Sequence, residues 1–166
     1  MISEKMQDAL NGQINAELYS AYLYLSMSAY FESANLPGFA AWMTVQAQEE
    51  VAHAMKLYGF VNERSGRVTL AAIDAPPADW PSALSAFQDA YAHEQKVTAL
   101  IDGLVDLAAS EKDTATGVFL QWFVSEQVEE EASALAVVEK LKMVGDAPSP
   151  LFMLDKAMGQ RKVGGG

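Results

Sequence analysis

The sequence predicts an all-α protein: an up-down-down-up four-helix bundle with one long crossover between helices two and three, and a short C-terminal fifth helix. Three observations lead there. Apolar residues recur at helical spacing through four long stretches. The segment 66–82 is long and shows no helical period. Polar residues interrupt the apolar rows at matched positions in both halves of the chain. The 166 residues, 51% hydrophobic and 20% charged, suit a single domain with a sizeable core. Its expected parts are a bundle over about 4–144, a fifth helix over about 150–159 and a disordered tail over about 160–166.

The first helix is expected over 4–32, with Ser3 as its N-cap and Met6, Leu10, Ile14, Ala21, Tyr24 and Phe31 on one stripe. Asn35-Leu36-Pro37-Gly38 breaks the pattern and is short enough to make an antiparallel hairpin. The second helix covers about 38–65, with Phe39, Met43, Leu57 and Phe60 inward, and ends at Ser65-Gly66. Residues 66–82 then carry Pro76-Pro77 and Asp79-Trp80-Pro81. A helix of this length is ~40 Å long at ~1.5 Å per residue, and the seventeen extended residues of the connection can cover ~55 Å. The connection can therefore travel the length of the bundle and begin the third helix at the far end.

That third helix is expected over 83–110, with Leu84, Phe87, Val97, Ile101 and Leu104 inward and Gly103 as a point of close packing. Asp113 or Thr114 caps the fourth, over 114–144, whose inner row is Phe119, Phe123, Ala134, Val137 and Leu141. Gly145 closes it. After a stiff Pro-rich linker, Leu151-Phe152-Met153-Leu154 opens a helix too short to be stable unless packed against something.

No run approaches the ~18–20 apolar residues of a membrane span, and the N-terminus begins no secretory leader. A soluble, cytoplasmic protein is expected. The absence of Cys excludes thiolate ligands and iron–sulfur clusters. A net charge of −11, with pI ≈ 4.5, disfavours nucleic acid and favours cations.

The polar residues on the inner rows are Glu17, Glu50, His53, Glu94, Gln127 and Glu130. Glu50 and His53 are same-face neighbours on a helix, an arrangement used by di-metal bundles. From Glu17 the offsets to Glu50 and His53 are 33 and 36; from Glu94 to Gln127 and Glu130 they are again 33 and 36. A shift of 77 superposes the halves and carries Glu49 onto Glu126. The turns near 35 and 112 lie midway between the polar residues of each hairpin, so all six should meet at one level.

Carboxylates drawn into a low-dielectric core lose several kcal/mol of hydration each. Four together, Glu17, Glu50, Glu94 and Glu130, also repel one another. No Lys or Arg shares their rows. Protonation, a hydrated polar network or polyvalent cations would each relieve this. Two divalent ions bridged by a shared Glu would balance the charge, and oxygen-rich ligands with one nitrogen suit iron or manganese.

With these residues in hand, the chain resembles the non-haem ferritins of bacteria and archaea. The resemblance rests on Asn15-Ala16-Glu17 with Tyr24, Gln48-Glu49-Glu50 with His53, His93-Glu94, and Glu126-Gln127-Val128-Glu129-Glu130-Glu131, and on the crossover and fifth helix. It implies an iron-storage protein with ferroxidase activity, oxidising Fe(II) with O2 or H2O2 at a di-iron centre. Glu17, Glu50 and His53 would hold the first iron. Glu50 would bridge to a second, held by Glu94 and Glu130 with Gln127 close by. A third site would draw on Glu49, Glu126, Glu129 and Glu130. The resemblance also implies a hollow octahedral homo-oligomer, a 24-mer, storing ferric oxyhydroxide, with fifth helices meeting at the four-fold axes.

Two departures separate it from bacterioferritins. Gln127-x-x-Glu130 stands where they repeat Glu-x-x-His, and Val51 stands where they carry the haem-ligating Met, so no haem is expected. Tyr24, seven residues after Glu17, is read as a hydrogen-bonding or electron-donating neighbour of the irons or as a core aromatic. His93 should point away from the centre, and Trp122 should serve packing. Two rival readings remain from the residues: a small di-metal oxidase that stores nothing, and a bundle with no metal at all.

Overall fold

A computed structural model describes residues 1–164 as five helices. They are α1 (Glu4–Ser33), α2 (Pro37–Glu63), α3 (Ala83–Ser110), α4 (Thr114–Val144) and α5 (Pro148–Met158). The ends follow from local chemistry. Ser3 accepts from the Met6 amide and Asp113 from the Thr116 amide, each satisfying an orphan donor of a first turn. Asn35, Ser65 and Lys112 take positive φ just past the helix ends, and Gly145 does so after α4.

Cross-helix contacts set the directions. Tyr24 meets Glu94 and Phe31 meets Phe87, so α1 and α3 run antiparallel. Gln46 meets Glu130, Phe60 stacks on Phe119 at 3.8 Å, and Arg64 meets Asp113, so α2 and α4 do likewise. With two antiparallel hairpins, the result is the expected up-down-down-up order. The crossover runs beside α1. Gln7 accepts from the Arg67 amide, Asn11 bonds Arg67 and Thr69, and Asn15 reaches Ala71 and Ala72. These three residues lie four apart, one per helical turn. Trp80 ends the run, buried against Tyr30 and donating to Asp89 at 2.8 Å.

The apolar core is divided in two. One cluster gathers Tyr24, Phe31, Phe39, Met43, Phe87 and Val137 at the end where the crossover arrives. The other gathers Met6, Leu10, Ile14, Leu57, Ile101 and Phe123 at the opposite end. Between them lies the polar layer. Aromatic stacking, such as Phe31 on Phe39 at 5.3 Å, stiffens the first cluster.

Helix α5 docks on α2 and α4 of its own chain. Leu36 offers no side-chain cap to α2, and Asp155 supplies one from a distance: its Oδ1 accepts from the Phe39 amide at 2.9 Å. Gly38 makes room, because a Cβ there would fall 1.6 Å from the Asp155 carbonyl oxygen. Phe152 and Met153 remain exposed.

Two expectations need correcting. A Cβ at Gly103 would meet nothing, so this glycine serves no close packing. The tail expected to be disordered from Gln160 is held in its described part. Arg161 bonds Gln46 and Glu49, and the Gly164 amide donates to Glu49. The remainder of that expectation, 165–166, lies outside the described residues. No described helix is long and apolar enough to cross a membrane.

Candidate metal centre

The four long helices deliver Glu17 from α1, Glu50 and His53 from α2, Glu94 from α3, and Gln127 and Glu130 from α4, all buried. They meet at one level, between the two apolar clusters. Three overlapping sets of groups bring ligand atoms within 4.8 Å of one another: Glu17 with Glu50 and His53, Glu50 with Glu94 and Glu130, and His53 with Glu126 and Glu130. Glu50 joins the first two sets, and Glu130 joins the last two.

His53 is the pivot. Its Nδ1 lies 3.2 Å from Glu50 Oε2 and 3.9 Å from Glu17 Oε2, while Nε2 faces Glu126 Oε1 at 3.7 Å. The edges of Trp122 and Phe123 pack near its ring, at 5.3 and 6.2 Å between centroids.

Two glutamines steady the carboxylates. Gln13 Nε2 donates to Glu17 Oε1 at 2.9 Å, and Gln46 Nε2 donates to Glu50 Oε1 at 3.1 Å and Glu130 Oε2 at 2.6 Å. Sequence reasoning missed both, although each stands four residues before its glutamate, one helical turn away. Gln127 Nε2 donates to the Glu94 side chain, the Glu94 carbonyl and Thr98, each at 3.2 Å. Thr98 in turn donates to Glu131 at 2.7 Å. Tyr24 donates its hydroxyl to Glu94.

These donors do not satisfy the layer. Glu17 Oε2 is buried with no hydrogen-bond partner, alone in this among the described buried side-chain atoms. Removing an acceptor from water without replacing its bonds costs roughly 1–3 kcal/mol. The acids respond by holding protons. Burial, with Glu94 and Glu17 adding to it, pushes Glu50 well above the ordinary carboxylate range. Burial also raises Glu94 to about 7, against the bonds from Tyr24 and Gln127. Glu130 rises to about 8, through burial and then Glu94. Burial and the same carboxylates keep the Tyr24 phenol protonated well beyond its ordinary range.

The donor set therefore fits a hard or borderline cation. It offers many carboxylate oxygens, one imidazole and an orphaned oxygen aimed into the cluster.

The acids expected to form a third cluster, Glu49, Glu126, Glu129 and Glu130, line one cavity of 430 Å³. They are not equivalent. Glu126 and Glu130 come within ligand distance of His53, while Glu49 and Glu129 join none of the three sets. Glu49 is instead held by Arg161 at 2.9 Å.

His93 stays outside the layer. Its Nε2 shares a hydrogen bond of 2.7 Å with Ser20 Oγ, which also lies 2.9 Å from the Ala16 carbonyl. Burial, then Lys96, lowers its pKa to about 4. Trp122 is exposed at its outer side, packs its inner side on His53 and Phe123, and carries Lys56 Nζ 3.5 Å over its ring.

Comparison with known proteins gives the family and the same fold. The family model for a ferritin-like domain matches residues 7–144. The bacterial non-heme ferritin of Bacteroides fragilis is 49% identical over 161 residues, covering 97% of this chain and 100% of the relative. The bacterial non-heme ferritin of Staphylococcus aureus is 38% identical over 161 residues, covering 97% of each chain. Among solved structures, an open-pore ferritin from the archaeon Archaeoglobus fulgidus superposes with a TM-score of 0.97 at 58% identity, covering 98% of this chain and all of its own.

Proposed function

The chain belongs to the ferritin-like domain family, and on that premise we propose that it is an iron-storage ferritin whose mid-bundle acids are a ferroxidase centre. Ferrous iron is its substrate. Glu17, Glu50 and His53 take one ion, and Glu50, Glu94 and Glu130 the other, with Gln127 beside the second. What carries this reading is the sharing of Glu50 between two ligand sets next to an orphaned oxygen of Glu17.

The chain's part in the chemistry is positional and protonic. Glu50, Glu94 and Glu130 hold protons in a metal-free core and release them as cations enter, so binding expels protons to solvent. Gln13 and Gln46 hold one oxygen each of Glu17 and Glu50, leaving the other oxygens to face the cluster. Two ferrous ions held side by side give up one electron each to dioxygen or peroxide. Tyr24, bonded to Glu94, orients that carboxylate and lies within reach as a further electron donor. The cavity of Glu49, Glu126, Glu129 and Glu130 offers oxidised iron an exit away from the centre, and serves as a third site.

We further propose a homo-oligomeric shell, a 24-mer, working in the cytoplasm and holding ferric oxyhydroxide, with the exposed Phe152 and Met153 of α5 covered by neighbouring subunits. The test is aerobic addition of Fe(II) to apoprotein, following ferric absorbance and the irons retained per particle. Retention of hundreds per particle supports storage. Retention of about two per chain contradicts it, and favours a small di-metal oxidase.

A further inference from the structure

Beyond α5 the chain turns back along α2. Arg161 is the cation among the residues lining the cavity of Glu49, Glu126, Glu129 and Glu130. Its guanidinium lies over the Trp42 ring, 4.1 Å from the centroid. Nη2 donates to Glu49 Oε2 at 2.9 Å and to Gln46 Oε1 at 2.8 Å. The Gly164 amide donates to the other Glu49 oxygen at 3.2 Å. Both oxygens of Glu49 are therefore occupied by the chain's own C-terminal segment.

The contact reaches the centre as well. A guanidinium only donates, so the carbonyl end of Gln46 must face Arg161. Its amide nitrogen is left to donate to Glu50 and Glu130, at 3.1 and 2.6 Å. An ion pair on an open surface would have little effect. Here the Arg161 and Glu49 side chains are only 14% and 17% exposed, and the pair is tied into a hydrogen-bonded network.

We propose that Arg161 is a resident counter-cation of this acidic cavity: it holds Glu49 in the metal-free protein and is displaced when a divalent ion takes that carboxylate. The C-terminal segment then sets the affinity of the third cluster, and Trp42 reports its occupancy. This rests on the reading of the buried acids as a metal centre. The physical reason is competition for one ligand. A monovalent, diffuse cation neutralises Glu49 cheaply, and a compact divalent ion must remove it. Once released, Arg161 can be hydrated, because it also lines a second cavity beside Trp42.

The experiment titrates redox-inert Zn(II) into the metal-free full chain, by calorimetry and by tryptophan fluorescence with a Trp42→Phe control. Two equivalents should fill the buried pair and a third the acidic cavity, with the Trp42 signal following the third. Arg161→Ala and Arg161→Gln should tighten the third equivalent about tenfold relative to the first two. Glu49→Gln, which keeps Arg161, should abolish it. An unchanged third affinity in both Arg161 variants, with folding verified by circular dichroism, overturns the proposal. So does a Trp42 signal that is indifferent to the third equivalent. Failure of the first two equivalents to bind overturns instead the metal-centre reading, and this inference with it.

Discussion

Replacing Glu17 by Gln should stabilise the metal-free protein and damage its chemistry, two effects of opposite sign from one atom. Glu17 is 1% exposed, and its Oε1 accepts from Gln13 at 2.9 Å. Its Oε2 has no partner and lies 3.9 Å from His53 Nδ1. Glu17→Gln keeps the shape and the Gln13 bond. It also removes one buried acid from a cluster that raises the Glu50 pKa, and places an NH2 donor where an unpaired acceptor stood. The unpaired acceptor costs roughly 1–3 kcal/mol. For a chain of this size that corresponds to a rise in melting temperature of roughly 2–12 °C. Metal binding at the first set should weaken by about 10–100-fold, the penalty that even outer partners of a metal carry. Differential scanning calorimetry of chelator-treated protein at pH 8, paired with anaerobic Fe(II) titration, measures both. A lower melting temperature in the metal-free variant, or unchanged Fe(II) affinity, would refute the argument that this layer is built for cations.

Other outcomes follow from the same geometry. Glu94 and Glu130 keep their protons up to about 7 and about 8 when folded, well above their unfolded values, so the folded state binds more protons across that window. Metal-free stability should therefore fall by several kcal/mol as pH rises from about 4.5 to 8. Thermal melts at stepped pH check this, and a flat or rising profile contradicts it. Saturating Zn(II) should reverse the slope, since the metal replaces those protons. His53→Ala removes the sole imidazole from the layer, and should slow Fe(II) oxidation at least about tenfold in stopped-flow absorbance. Asp155→Ala removes the distal cap of α2, and should cost about 0.5–2 kcal/mol in chemical unfolding. Gly38→Ala should cost more, since its Cβ would collide with the Asp155 backbone and push α5 off the bundle.

The four long helices were legible because each carries an apolar stripe of 3.6-residue period, and the metal layer because polar residues interrupt those stripes at repeated offsets. The crossover could be placed by length alone, and its anchors were visible too: Gln7, Asn11 and Asn15 keep a one-turn spacing that no apolar count registers. Gln13 and Gln46 were equally readable one turn before their glutamates, but a neutral amide on a buried row draws less notice than a charge. Arg161 was not legible. It joins Glu49 across 112 residues from a segment whose glycines and basic residues read as disorder. No periodicity links a tail to the middle of a bundle. Gly103 misled for a related reason: composition suggests close packing, and only the neighbours show that none exists.

The central claim is that Glu50 bridges two cations at mid-bundle. Anomalous scattering at the iron edge, from crystals soaked anaerobically in ferrous salt, tests it directly. The account predicts two peaks a few ångströms apart, one among Glu17, Glu50 and His53 and one among Glu50, Glu94 and Glu130. Density for water alone within this layer, or iron confined to the outer acidic cavity, would contradict it.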